Sequence, residues 1–154
     1  MKVSFIGLGV MGYPMAGHLI SKNNNLKVKV YNRSIQKSEN WVSKFNGSLS
    51  TTPAEVAKDC DVVFMCVGND NDVDQVVRGK NGIMSSIPED SIIVDHTTAS
   101  ASITKELYNY CKQQMDQQES IAPIEGTGEN EGSLEENDTP ADGQGEEKDG
   151  KVDM

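Results

Sequence analysis

The feature that most constrains this chain lies at its start, in Val3-Ser4-Phe5-Ile6-Gly7-Leu8-Gly9-Val10-Met11-Gly12-Tyr13-Pro14-Met15-Ala16. A short apolar run (Val3, Phe5, Ile6) stops at Gly7, and three glycines follow as G-x-G-x-x-G. Met11, Met15, Ala16, Leu19 and Ile20 then recur at helical spacing. Strand, glycine turn and helix, in that order, make up the context in which the pattern means a dinucleotide site and not an ordinary loop. Gly7 serves the tight turn off the strand, Gly9 the close approach of backbone to a pyrophosphate, and Gly12 the packing of helix on sheet. The unpaired amides of the first helical turn, at Val10, Met11 and Gly12, then face that anion. Pro14 fits the same opening turn, where a missing amide costs no intrahelical bond.

A polar turn, Asn23-Asn24-Asn25, precedes a second strand carrying Val28, Val30 and Tyr31, and Asn32-Arg33-Ser34 stands at its end. That is about 20 positions past the glycine turn, where a mononucleotide unit presents its ribose-binding residue. An Asp or Glu there accepts hydrogen bonds from a 2′-hydroxyl and repels a 2′-phosphate. Asn32 beside Arg33 reads the other way, since a guanidinium pairs with phosphate bidentately. NADP is therefore favoured over NAD; the competing reading makes Arg33 a solvated loop charge.

Trp41, Val42 and Phe45 predict a second helix, Leu49 a short third strand, and Thr52-Pro53-Ala54-Glu55 a capped helix running to about Lys58. The continuous apolar run from Asp61 through Val62, Val63, Phe64, Met65, Cys66 and Val67 predicts a strand buried on both faces of a parallel sheet, with Cys66 in the core. Gly68-Asn69-Asp70-Asn71-Asp72 follows, then a helix with Val73, Val76 and Val77. Ligands bind beyond the carboxyl ends of such strands, so this loop is expected to border the nicotinamide half of the cofactor. The Asn/Asp run lacks the closing Glu of a calcium loop, and no metal is assigned to it. Gly82 and Pro88-Glu89-Asp90 mark turns around residues 83–87. Ser91-Ile92-Ile93-Val94-Asp95 is a further buried strand ending in His96-Thr97-Thr98-Ala99-Ser100, and Ser100 caps a helix with Ile103, Leu107, Tyr110 and Cys111 on one face. His96 invites an acid/base reading as a histidine, but one isolated histidine at a strand end assigns no such role, and His18 reads as a surface residue. Strands alternating with helices predict an α/β fold, a Rossmann-type doubly wound parallel sheet in a single domain.

Charge divides the 154 residues. Residues 1–114 carry 12 Lys+Arg against 11 Asp+Glu, and residues 115–154 carry 2 against 13, so the net −10 belongs to the second segment. That segment has no aromatic residue and is crowded with Glu, Asp, Gly, Asn and Gln. It buries too little apolar surface to offset the entropy of ordering, which predicts a disordered acidic tail over 115–154 after a domain over 1–114. Cys60, Cys66 and Cys111 form no C-x-x-C pair. With no leader pattern at the N-terminus, they suggest unpaired thiols in a reducing, cytoplasmic setting. Neither nucleic acid nor a membrane is expected as a partner.

Taken together, Gly7-Leu8-Gly9-Val10-Met11-Gly12 with Met15-Ala16, Asn32-Arg33-Ser34, Val67-Gly68-Asn69-Asp70 with Val73, and Val94-Asp95-His96-Thr97-Thr98 resemble the β-hydroxyacid dehydrogenase family. That family includes 3-hydroxyisobutyrate dehydrogenases, tartronate semialdehyde reductases and glyoxylate/succinic semialdehyde reductases. The resemblance covers residues 1–114 and implies an N-terminal NAD(P)-binding domain. It implies cofactor contacts from Gly7, Leu8, Gly9, Val10, Met11, Gly12, Asn32, Arg33 and Ser34. Cys66, Val67 and Asn71 would contact the cofactor after the fourth strand, and Thr97 or Thr98 would lie near the nicotinamide. The Asn-Arg-Ser variant is similar to that of the NADPH-using reductases. Past residue 114 the family continues into a D-A-P-V-S-G-G substrate motif and a helical domain bearing a lysine acid/base. Here Ala122-Pro123-Ile124-Glu125-Gly126-Thr127-Gly128 matches that motif only faintly, and Lys148 stands in no apolar helix, so no catalytic residue is assigned.

Three readings of function remain open on the sequence. The chain is an NADP(H)-binding oxidoreductase domain whose catalytic half is absent or supplied by another chain; or a non-catalytic NADP-binding module; or a truncated gene product. NADPH turnover with small semialdehydes separates the first from the second, and the DNA beyond the stop codon tests the third. Uncovered apolar surface would favour docking of a separate helical domain, or self-association.

Overall fold

A computed structural model describes residues 1–121. The element order is β1 (Lys2–Ile6), α1 (Gly12–Lys22), β2 (Lys27–Tyr31), α2 (Ile35–Phe45), β3 (Ser48–Leu49), α3 (Pro53–Ala57), β4 (Val62–Met65), α4 (Asp70–Arg78), a 3-10 turn (Ile83–Ser85), β5 (Ile92–Asp95) and α5 (Ala101–Ile121). The five strands form one sheet in the order β3-β2-β1-β4-β5, and every pairing is parallel. This is the expected Rossmann-type doubly wound fold. Helix α5 runs on past Gln114 to Ile121. The faint motif at 122–128, Lys148 and most of the expected tail lie outside the described residues.

Alternation along the strands sorts side chains into two cores. Phe5, Val28 and Val30 face α1 and α2, where they meet Ala16 and Trp41. Ile6, Val63 and Met65 face the other way, against Val56 of α3, Val73 and Val77 of α4, Ile83 and Ile103. Each such fully buried aliphatic side chain contributes roughly 1.5–3 kcal/mol. Trp41, fully buried, also donates from Nε1 to the Tyr13 carbonyl at 3.2 Å, which pins α2 to the first turn of α1.

Local signals fixed the starts of α3, α4 and α5. Thr52 Oγ1 accepts the Glu55 amide at 3.1 Å with Pro53 in the first turn, and Asn69 Oδ1 accepts the Asp72 amide at 3.0 Å. Ser100 Oγ likewise accepts the Ile103 amide at 3.3 Å. Three expectations need correction. The run 61–67 is not buried on both faces: Val63 and Met65 are buried, whereas Val62 and Phe64 are half-buried. The reason is coverage, since α1 and α2 pack over the β1–β3 side. The strand expected to be buried at 91–95 is not: β5 lies at the sheet edge, none of its residues is buried, and Ile92 is 60% exposed. Cys66, expected in the core, lies one residue past β4 and is half-buried. Among the described residues no helix is long and apolar enough to cross a membrane.

Candidate functional site

The parallel ladder continues one residue beyond each strand: the Gly7 amide donates to Tyr31 O at 2.9 Å, the Cys66 amide to Ile6 O at 2.9 Å and the His96 amide to Met65 O at 2.8 Å. The carboxyl ends of β2, β1, β4 and β5 therefore finish in one row. From the central β1 the chain crosses over to β2 on one side, and it reaches β4 on the other, so the loops after β2 and β4 part above the end of β1. A cleft of about 870 Å³ opens there.

Its floor is the glycine turn. Gly7 has φ +94°, and a Cβ on it would stand 2.1 Å from the Cys66 carbonyl oxygen, so the fold itself demands glycine. Gly9 differs: a Cβ there would meet nothing within 4 Å. Nothing in the described fold requires Gly9 to lack a side chain; the space above it is what the missing Cβ keeps free. The first bonded amide of the helix is that of Tyr13, which donates to Gly9 O at 3.0 Å, and no side chain caps the start of α1. The amides of Val10, Met11 and Gly12 thus lack helical acceptors, at the positive end of the helix dipole. An uncapped helix start over a cradle that a Cβ would fill fits a close-approaching anion such as a diphosphate.

On the β2 wall, Asn32, Arg33 and Ser34 all line the cleft. Asn32 is committed internally: Oδ1 accepts the Leu8 amide at 2.9 Å and Nδ2 donates to Ser34 O at 3.1 Å. Leu8 itself is buried and outside the lining, its side chain in the core beneath the turn. Arg33 reaches across the cleft to Asp72, Nη1 to Oδ1 3.4 Å.

On the β4 wall, Cys66, Val67 and Asn71 line the cleft. Burial, reinforced by the Asp95 charge, pushes the Cys66 thiol pKa up, so this thiol is protonated and unreactive at neutral pH. Thr97 Oγ1 accepts the Val67 amide at 3.0 Å, while the Thr97 amide donates to Asp95 Oδ1 at 2.8 Å. Thr97 braces the β4 loop from behind, and neither Thr97 nor Thr98 is in the lining. Three of the four polar residues at 69–72 are likewise spent on structure: Asn69 caps α4, Asp70 accepts the Ser100 amide at 2.8 Å, and Asp72 pairs with Arg33, while Asn71 faces the cleft. Among the described residues no group of three His, Cys, Asp or Glu side chains is placed to hold a metal ion.

Sequence reasoning missed Lys37 and Lys80, both in the lining, and named Asp72 only within the loop expected to border the nicotinamide, not as the partner of Arg33. Lys37 had a signal: three residues past Ser34, it falls on the first turn of α2 and so on the same side as the loop. Lys80 had none, and neither had the pairing of Asp72 with Arg33, because both depend on how distant parts of the chain come together.

Comparison with known proteins adds kinship to this geometry. The family described as the NAD binding domain of 6-phosphogluconate dehydrogenase matches residues 2–131. An uncharacterized oxidoreductase of Shewanella frigidimarina is 50% identical over 109 residues, 71% of this chain and 37% of that protein. A probable mitochondrial 3-hydroxyisobutyrate dehydrogenase-like protein of Arabidopsis thaliana is 31% identical over 135 residues, 86% of this chain and 44% of that one. In fold, the chain is similar to the 3-hydroxyisobutyrate dehydrogenase of Salmonella typhimurium, with a TM-score of 0.66 and 20% identity over 75% of this chain and 39% of that one. The chain thus spans less than half the length of these proteins.

Proposed function

Because the chain belongs to the family of the NAD binding domain of 6-phosphogluconate dehydrogenase, we propose that it holds NADP(H) in the cleft above β1, as the coenzyme-binding part of a 3-hydroxyisobutyrate dehydrogenase-like oxidoreductase. The observation that carries this reading is the free space over Gly9 at the uncapped start of α1. The amides of Val10, Met11 and Gly12 would hold the diphosphate, with Gly7 setting the turn beneath them. Arg33 and Lys37 would take the 2′-phosphate, and no carboxylate stands at position 32 to repel it. Cys66, Val67 and Asn71 would border the bound coenzyme from the β4 side, with Thr97 holding Val67 in place and Thr98 next to it.

A bound nicotinamide supplies a hydride donor or acceptor. On this reading the substrates are small semialdehydes or 3-hydroxyacids, after the activity for which the Arabidopsis and Salmonella proteins are named. Reduction of such a carbonyl also needs a proton donor for the developing alkoxide and a pocket for the substrate. Those parts are assigned to the length of the relatives beyond the matched region.

Calorimetric titration with NADP+ and NAD+ tests the proposal. Saturable binding is expected, tighter for NADP+. Loss of a charge-assisted phosphate contact costs roughly 1.5–3 kcal/mol, so Arg33→Ala should weaken NADP+ by about ten- to hundred-fold and NAD+ far less. Equal losses would overturn the preference, and no saturation by either coenzyme at millimolar concentration would overturn the site.

A further inference from the structure

We infer that Asp72 is a second determinant of coenzyme choice: its carboxylate is the resident counter-ion of Arg33, which a 2′-phosphate must displace and a 2′-hydroxyl leaves in place. The inference rests on reading the cleft as an NADP site. Among the described residues Asp72 is the one acidic residue in the cleft lining, against Arg33, Lys37 and Lys80. Arg33 comes from the end of β2 and Asp72 from the first turn of α4, so their 3.4 Å contact spans the mouth from wall to wall.

The two partners are held unequally. The Arg33 side chain is 88% exposed, while that of Asp72 is 25% exposed. Asn69 Nδ2 donates to Asp72 Oδ2 at 3.3 Å, and a Cβ on Gly68 would lie 2.6 Å from that same oxygen. The carboxylate is therefore seated and the guanidinium is the partner able to swing. A phosphate dianion offers Arg33 a stronger, bidentate acceptor than one carboxylate oxygen. Exchange then leaves Asp72 unpaired beside a second anion, and that repulsion lowers NADP affinity. A coenzyme without the phosphate asks for no exchange. Asp72 acts here through Arg33, as a positioning residue that restrains the preference Arg33 creates.

The test compares Asp72→Asn with Asp74→Asn, which removes an equal charge from the same helix but from a carboxylate paired with Arg78. Exposed ion pairs are weak, so Asp72→Asn should tighten NADP+ by about two- to five-fold and leave NAD+ unchanged. Asp74→Asn should move neither. Asp72→Ser, which keeps a first-turn hydroxyl, gives the same readout if Asp72→Asn does not fold. An equal change for both coenzymes, a loss of NADP+ affinity, or the same gain in Asp74→Asn would overturn the inference while leaving the NADP site standing. A wild-type protein that binds neither coenzyme overturns both.

Discussion

The side-chain oxygen of Asn32 accepts the backbone amide of Leu8 at 2.9 Å, tying the end of β2 to the glycine turn that leaves β1. The residue expected to meet the ribose is thus also a brace for the diphosphate cradle. Asn32→Ala leaves a part-buried amide unpaired, and should cost about 1–3 kcal/mol. Asn32→Asp keeps an acceptor for Leu8 and loses only the bond to Ser34 O, so its cost should be smaller. Urea unfolding followed through the fluorescence of the single, buried Trp41 measures both. Equal losses in the two variants would show that the Leu8 bond does not matter.

Gly7 and Gly9 separate folding from binding. Gly7→Ala puts a side chain into a positive-φ position and 2.1 Å from backbone, and should destabilise by about 1–3 kcal/mol or more. Gly9→Ala meets no protein atom within 4 Å. It should leave the urea midpoint within about 0.5 kcal/mol of the parent, a surface-like effect, yet weaken both coenzymes at least ten-fold. Full affinity in Gly9→Ala would mean that the free space serves no ligand.

What the sequence disclosed and what it hid divide along contact distance. The turn after β1, the caps at Thr52 and Ser100, and the apolar spacing of the helices depend on neighbours within a few positions, and these were legible. The Arg33–Asp72 pair joins residues 39 positions apart, so nothing local announces it. The apolar run at 61–67 showed that a strand was there, but its burial on the second face depends on which helix lies above it, and α1 and α2 sit elsewhere. Asn32 shows the same limit: its position matched a ribose contact, while its hydrogen bonds belong to Leu8 and Ser34.

Cys66 supplies a chemical probe of the cleft. Burial comes first among the causes that raise its thiol pKa, with Asp95 second, so alkylation should be slow at pH 7 and accelerate above the ordinary thiol range. Because Cys66 lines the cleft, NADP+ should slow its labelling by iodoacetamide, read by peptide mass mapping. Cys60 is buried on the far side of the sheet, and its labelling should not respond to the coenzyme. Rapid labelling of Cys66 at neutral pH would contradict the burial argument.

Acid should unfold the protein partly through two carboxylates, the exposed Glu55 and the half-buried Asp70. Glu55 sits below its ordinary value of 4.5, first because the Thr51 hydroxyl donates to it at 2.7 Å, then through the Thr51 amide. Asp70 sits below 3.8 because Ser100 donates to it, joining the starts of α4 and α5. Between the lowered folded pKa and the ordinary unfolded one, the unfolded chain binds more protons, so stability rises with pH there. The contribution is complete above the ordinary values and is lost as pH falls through the folded ones. The urea midpoint should therefore hold level above about pH 6 and decline below about pH 5. Glu55→Gln and Asp70→Asn should each lie below the parent at pH 7, by a gap that narrows as pH falls below the ordinary carboxylate values. A gap that stays constant through the acid decline of the parent would assign the loss to packing and not to the ionised carboxylates.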